Sequence, residues 1–322
     1  MILKRICILG GTGFVGKTLA NRLNKDGYQL RVLTRNREQR RDDLIVLPSV
    51  ELIEADIHDQ EQLNTRLAGC DAVINLVGIL NEKGRDGSGF RRAHVELTGK
   101  IIQACSANAI VRLLYMSALN ADAVNGPSHY LRTKGEAEDR VHQAAGIRAT
   151  SFRPSVIFGP RDRFFNRFAA LLKMTPMFFP LACAGTRFAP VFVEDVAEAM
   201  ARTLTDPDSY GRRFTLVGPK TYTLQQLVQY TAQCLGINRT VIPLPALLAR
   251  LQAALFDFVP GKPFSTDNYL SATIDSISDH NDLRTLGINP TPVAAVVPQY
   301  LGRRYQRAYN NDRRRFAGRR HI

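Results

Sequence analysis

Arg5-Ile6-Cys7-Ile8-Leu9-Gly10-Gly11-Thr12-Gly13-Phe14-Val15-Gly16 opens the chain with a short strand pattern, a glycine-rich turn and the start of a helix predicted over Phe14–Lys25. Three of the glycines have physical tasks. Gly10 permits the tight turn, Gly13 lets the backbone approach a pyrophosphate, and Gly16 lets the helix pack closely on the strand. The phosphates then sit over unpaired amides at the helix N-terminus, with Thr12, Phe14 and Val15 completing the candidate contacts. Glycine-rich turns also occur without ligands; the strand-turn-helix context is what favours a nucleotide.

Beyond this unit, strand patterns recur at Gln29–Thr34 and at 50–55, 71–77, 111–117 and 148–153, alternating with helical patterns at Leu97–Ala107 and 130–145. That alternation predicts an α/β fold of Rossmann type, a doubly wound parallel sheet. After about residue 160 the alternation weakens and prolines become frequent, with helices predicted at Leu224–Leu235 and 245–258. The expected organisation is a nucleotide-binding core over 1–160, a smaller C-terminal α/β lobe over 161–302 with segments returning to the core, and a basic tail over 303–322.

Composition narrows the class. With 45% apolar and 22% charged residues among 322, the chain is globular rather than disordered, collagen-like or coiled-coil. The five cysteines (Cys7, Cys70, Cys105, Cys183, Cys234) form no CxxC pair, which argues against a disulfide framework or a thiolate zinc site. The six histidines show no metal-ligand spacing, and no metal is assigned. The apolar run Ile6 to Leu9 is too short for a signal peptide, and the longest uncharged window, 285–302, contains Pro290, Pro292 and Pro298, a poor match to a spanning helix.

Net charge is +14, and the tail supplies +7 of it, from eight arginines and the single Asp312. The tail implies an anionic partner such as lipid headgroups, or else a solvated extension. The expected location is cytoplasmic, with a peripheral position on the inner face of the membrane as the variant that the tail would support. A second apolar feature is the stripe Leu244, Leu247, Leu248, Leu251, Leu255 and Phe258, at helical spacing. Such stripes are mostly core, and core is the expectation here; a membrane-surface or quinone-facing role is the alternative.

The end of the second strand reads Thr34-Arg35-Asn36-Arg37, with no acid before Glu38 and with Arg40 and Arg41 adding charge. A carboxylate there would accept the ribose 2'-hydroxyl of NAD(H); an arginine pairs a 2'-phosphate, so Arg35 favours NADP(H) over NAD(H). A solvated basic loop is the alternative. Asp56, followed by Ile57, is placed to accept from an adenine amine, or to cap a turn. Leu76, Val77 and Gly78 end the fourth strand, where Gly78 would let the backbone near the cofactor. Tyr130 and Lys134, four apart, share a helical face, with Ser117 thirteen residues upstream. An ammonium beside a phenol lowers the phenol's pKa, which suits Tyr130 to proton transfer while the Ser117 hydroxyl holds a substrate oxygen.

Gly10 to Gly16, Asp56, Ser117, Tyr130 with Lys134, the run Arg153-Pro154-Ser155-Val156-Ile157-Phe158-Gly159-Pro160 and the run Pro190-Val191-Phe192-Val193-Glu194-Asp195-Val196 together resemble the extended short-chain dehydrogenases/reductases. Within that superfamily, Tyr130-Leu131-Arg132-Thr133-Lys134, the stretch from Phe158 to Phe164 and Phe214-Thr215-Leu216-Val217-Gly218-Pro219 resemble the nucleotide-binding accessory subunit of respiratory complex I and its bacterial relatives. The resemblance implies a Rossmann core and bound NADPH, adds Pro154 to the cofactor contacts, and gives Lys134 a grip on the nicotinamide ribose. It also implies members whose role is structural. Two functions follow: an NAD(P)(H)-binding protein of that accessory type, or an active oxidoreductase or epimerase on a quinone-related or other small molecule. The corresponding partners are the cofactor, an anionic membrane surface, and a respiratory or quinone-pathway protein. A nucleic-acid binder is the weakest class.

Overall fold

The computed structural model describes residues 3–40, 44 and 47–302. In chain order the strands are β1 (Arg5–Leu9), β2 (Gln29–Thr34), β3 (Val50–Glu54), β4 (Ala72–Asn75), β5 (Arg112–Met116), β6 (Arg148–Pro154), β7 (Ile157–Phe158), β8 (Phe178–Leu181), β9 (Arg187–Phe188), β10 (Val191–Phe192), β11 (Arg213–Leu216), β12 (Tyr222–Thr223) and β13 (Thr240–Pro243). The helices are α1 (Phe14–Lys25), α2 (Arg37–Arg40), α3 (Gln60–Leu67), α4 (Ser88–Arg91), α5 (Leu97–Ala107), α6 (His129–Gln143), α7 (Phe165–Met174), α8 (Val193–Thr203), α9 (Leu224–Leu235), α10 (Ala246–Phe256), α11 (Thr266–Ser271), α12 (Asp282–Thr285) and α13 (Val293–Leu301).

Alternation along β1 sets the layers. Ile6 and Ile8 point to one face of the sheet, where they pack with Leu19 and Leu23 of α1 and Val196 and Met200 of α8. Cys7 and Leu9 point to the other, among Leu63 of α3, Ile101 of α5 and Val141 of α6. With both faces covered, the central strands β4 and β5 are buried at every residue, as parallel sheets require.

The sheet has seven parallel strands in the order β3-β2-β1-β4-β5-β6-β11. Strand order reverses between β1 and β4, which opens a crevice at their carboxyl ends. β11 reaches this sheet from residue 213, pairing Arg213 with Ser151 and Leu216 with Pro154. Outside this sheet, three two-stranded pieces, β7 with β10, β9 with β12 and β8 with β13, gather around α7, α9 and α13. Among the described residues no helix is long and apolar enough to cross a membrane, and α13, inside the proline-rich window, is nine residues long with Pro298 within it.

The leucine stripe of 244–258 is not core. On α10 the small Ala249 and Ala253 are buried, whereas Leu247, Leu248, Leu251 and Leu255 are exposed. Periodicity located the stripe but assigned it the wrong side, because the helix packs through its alanines.

Candidate functional site

The glycine loop joins β1 to α1. Gly10 has φ +80°, and a Cβ there would stand 3.1 Å from the Leu76 carbonyl carbon and 3.2 Å from the Val77 nitrogen, so the turn is pressed against the end of β4. Gly13 donates its N–H to the Gly10 carbonyl (2.9 Å) and caps α1 in an extended conformation. No side chain caps this helix and its first turn holds no acid. Its leading amides therefore lack a side-chain acceptor, a donor set that fits a diphosphate. Gly13 is exposed at the turn, and Thr12, Phe14 and Val15 are half-buried beside it. Gly16 packs differently from the expectation: a Cβ there would overlap Gly10 and Gly11, so α1 closes on the loop itself. The close approach to a strand belongs to Gly11, whose Cβ would meet the Val32 side chain at 2.8 Å.

Arg35 and Asp56, both exposed, line a cavity of about 1240 Å³ with Glu54, His58, Ile79, Asn81 and Arg92. The Asp56 carboxylate accepts the His58 N–H (2.8 Å), so it braces its own turn while facing the cavity. Ile57 packs half-buried against the core beneath. Glu54, opposite Thr34 in the sheet, is a carboxylate that the sequence reading did not weigh; one of its oxygens accepts the Arg37 N–H (2.9 Å). Arg41 lies outside the described residues.

Lys134 ties the ends of two strands together. Its ammonium donates to the carbonyls of Met116 (2.8 Å) and Val77 (3.3 Å), and a Cβ on Gly78 would stand 3.1 Å from Nζ. Val77, Gly78 and Lys134 are thus brought to one place, with Leu76 bonded back to β1 through the Leu9 carbonyl (3.0 Å). Burial pushes the Lys134 ammonium down to about 7, against the pull of Glu138.

Tyr130 and Ser117 depart from expectation. The Tyr130 phenol is pushed up to about 12, first by burial and then by the charge of Asp267. The anticipated lowering by Lys134 is not among the causes that act on this phenol; that ammonium is itself destabilised by burial and donates to two backbone carbonyls. The Ser117 hydroxyl donates to Glu138, a fully buried carboxylate that also accepts from Arg153 (2.9 Å) and Arg213 (2.7 Å). Its proton is directed at that cluster. Pro154 is likewise buried, and its carbonyl accepts the Leu119 N–H (2.9 Å).

Two contributors carried no sequence signal. His94 sits in a π-helical turn, Arg92–Glu96, between α4 and α5, with its ring edge-on to Tyr130 at 5.7 Å between centroids. Ile79 N–H donates to its Nε2 (3.2 Å), which leaves the ring proton on Nδ1, 2.9 Å from the Thr133 hydroxyl. Burial, then the Lys134 charge, holds this imidazole well below its usual pKa and hence neutral. Asp267 of α11 accepts the N–H groups of His129 (2.7 Å) and Tyr130 (3.2 Å), holding the start of α6. A lone histidine and a loop acid have no fixed spacing to the Tyr130–Lys134 pair, so only the folded chain reveals them. Among the described residues there is no cluster of metal-binding side chains.

The model of the NAD-dependent epimerase/dehydratase family matches residues 6–217. The mouse protein described as NADH dehydrogenase [ubiquinone] 1 alpha subcomplex subunit 9, mitochondrial, is 31% identical over 297 residues, covering 89% of this chain and 76% of its own. A ceramide reductase of Caulobacter vibrioides is 29% identical over 245 residues, covering 74% of this chain and 73% of its own. Among solved structures, the dTDP-glucose 4,6-dehydratase of Streptomyces venezuelae superposes with a TM-score of 0.73 at 18% identity, covering 94% of this chain and 97% of that one. At that identity the likeness is one of fold.

Proposed function

Because the chain belongs to the NAD-dependent epimerase/dehydratase family, we propose that its NAD(P)-binding crevice takes NADP(H) and that it works as a cofactor-holding protein of the complex I accessory type. The cofactor choice is carried by Arg35, exposed at the end of β2 on the cavity wall, where the neighbouring carboxylate, Glu54, already serves the Arg37 amide. A guanidinium there pairs a 2'-phosphate in two parallel hydrogen bonds. Gly10, Thr12, Gly13, Phe14, Val15 and Gly16 would hold the diphosphate, Asp56 and Ile57 the adenine end, and Leu76, Val77, Gly78, Lys134 and Pro154 the nicotinamide end. The implied partner is a respiratory or quinone-pathway assembly, by similarity to the mouse relative.

When bound, the cofactor supplies hydride transfer. The protein's own part is positional: Lys134 fixes the ends of β4 and β5 and presents an ammonium to ribose hydroxyls, and Tyr130 retains its proton at neutral pH as a donor. Commitment of Ser117 to Glu138 supports holding over turnover.

The experiment is nucleotide release from denatured protein followed by mass spectrometry, with binding of NADPH and NADH to wild type and Arg35→Asp. We expect NADP(H) in the released fraction, and in the variant at least a tenfold loss for NADPH with NADH spared. Equal losses for both dinucleotides refute the role of Arg35.

A second cavity, of about 620 Å³, lies between Gly78, Asn81, Arg163, Asn166 and Arg167, and favours the alternative of an active oxidoreductase or epimerase with room for a small substrate. Turnover that falls on the order of 100-fold or more in Tyr130→Phe, with cofactor affinity kept, would establish that reading.

A further inference from the structure

Helix α10 is built in reverse for a helix that faces water. Its inward side chains are the small Ala249 and Ala253, while Leu247, Leu248, Leu251 and Leu255 are 79%, 49%, 55% and 59% exposed. At α-helical spacing these four leucines share an arc of about 100°. Phe258 and Val259, just beyond the helix, are exposed as well, and the Arg85 guanidinium stands 3.6 Å over the Phe258 ring. The apolar surface continues on the N-terminal side. Strands β8 and β13 pair Phe178 with Thr240 and Pro180 with Ile242, so these four residues share one face of the ribbon. Phe178, Pro180 and Ile242 are exposed on that face, and Met174 and Met177 are exposed just before it. Only Leu244 and Pro245 separate the ribbon from α10.

Charge selects the occupant of this surface. Over 165–181 and 239–262 the sequence holds five cations (Arg167, Lys173, Arg239, Arg250 and Lys262) and one acid. That acid, Asp257, is turned to Thr266, whose N–H (3.1 Å) and hydroxyl (2.6 Å) it accepts. Arg167, Arg239 and Lys262 are half-buried and donate to backbone carbonyls, whereas Lys173 and Arg250 are exposed. An apolar face that carries exposed cations and no exposed acid of its own complements an anionic bilayer, in which acyl chains lie beneath negative headgroups. A second copy seated two-fold on the same face would set these cations against each other.

We infer that α10 and the adjoining β8–β13 ribbon form an interfacial seat that lays this part of the chain on an anionic lipid surface, with the leucines in the headgroup–acyl boundary and the exposed Lys173 and Arg250 among the headgroups. The seat adjoins the crevice. Lys262, six residues past the end of α10, donates to the carbonyl of Gly84 (2.6 Å) and accepts from the Asn81 amide (3.1 Å), and both residues line the large cavity.

The test is vesicle flotation of the full-length protein with phosphatidylcholine alone and with added phosphatidylglycerol, across a salt series. We expect flotation with the anionic vesicles, a part of which persists at high salt. A triple variant carrying Leu247→Ser, Leu251→Ser and Leu255→Ser should lose at least tenfold in partition and all of the salt-resistant part, with melting temperature and NAD(P)H binding unchanged because these side chains are exposed. Arg250→Glu should weaken binding to anionic vesicles and leave any binding to phosphatidylcholine alone at its wild-type value. Wild-type protein that stays unbound at low salt overturns the inference, as does a triple variant that floats like wild type. Light scattering that finds a wild-type dimer made monomeric by the triple variant, with flotation unaffected, assigns the face to a second copy instead and equally overturns it.

Discussion

At the scale of single residues, Lys134 gives the most direct handle on the site. Its ammonium falls to about 7 in the folded chain, whereas in the unfolded chain it titrates near 10.5. Between these values the unfolded state binds the extra proton, so stability rises with pH; below 7 the full cost of burying the charge is present, and above 10.5 it has gone. The cofactor-free protein should gain up to about 1.4 kcal/mol per pH unit from this group between pH 7 and 9. Urea denaturation at successive pH values should show that slope in wild type and a flatter one in Lys134→Met, and identical slopes would remove Lys134 as the cause. Gly13 supplies a second handle. A branched side chain at this exposed cap would crowd the Gly10 carbonyl, 3.1 Å from the position of a Cβ, and the approach of a diphosphate. Gly13→Val should therefore cut NAD(P)H affinity at least tenfold while circular dichroism stays unchanged; retained affinity would reduce the loop to a turn.

At the scale of elements, α6 is where the site is assembled, because Tyr130, Lys134 and Glu138 recur every four residues along one face of it. Its start is held by Asp267 from α11, through two backbone N–H groups. Asp267→Ala should cost about 1–2 kcal/mol in denaturant unfolding, since it strips acceptors and a favourable charge from a helix N-terminus. It should also lower the pKa of Tyr130, which Asp267 raises. A phenol titration unmoved relative to wild type would exclude that coupling. How much of this could be read from sequence follows from the range of each interaction. β1, α1, β2 and α9 have the bounds that local pattern predicts, because each is a run with its own turn signals. The two-residue strands β7, β9, β10 and β12 carry no periodicity, and they exist only through partners 34–36 residues away in sequence. The site divides the same way: the glycine loop and the Tyr130–Lys134 spacing are local, whereas the bond from Ser117 to Glu138 depends on β5 meeting α6, and Asp267 comes from 137 residues further on. The α10 stripe shows the limit of periodicity, which defines a face without saying what the face meets.

At the scale of the whole molecule, charge and apolar surface can act together. α13, which packs with α7 and α9, leads into residues 303–322, and those twenty residues hold eight arginines against Asp312. The tail itself lies outside the described residues, so its contribution is argued from charge alone. Near an anionic bilayer each arginine contributes about 1 kcal/mol before screening, and the attraction decays over a Debye length of about 10 Å at 0.1 M salt. Apolar burial by the leucines of α10 does not decay in this way. Two contributions to membrane attachment should therefore separate along a salt series. Deleting 303–322 should remove most of the salt-sensitive binding to anionic vesicles, leave the salt-resistant part that the α10 leucines supply, and leave NADPH affinity at its wild-type value, because the glycine loop belongs to the other end of the chain. If the deletion leaves the salt dependence of flotation as it was, the cations around α10 are sufficient and the tail serves another partner.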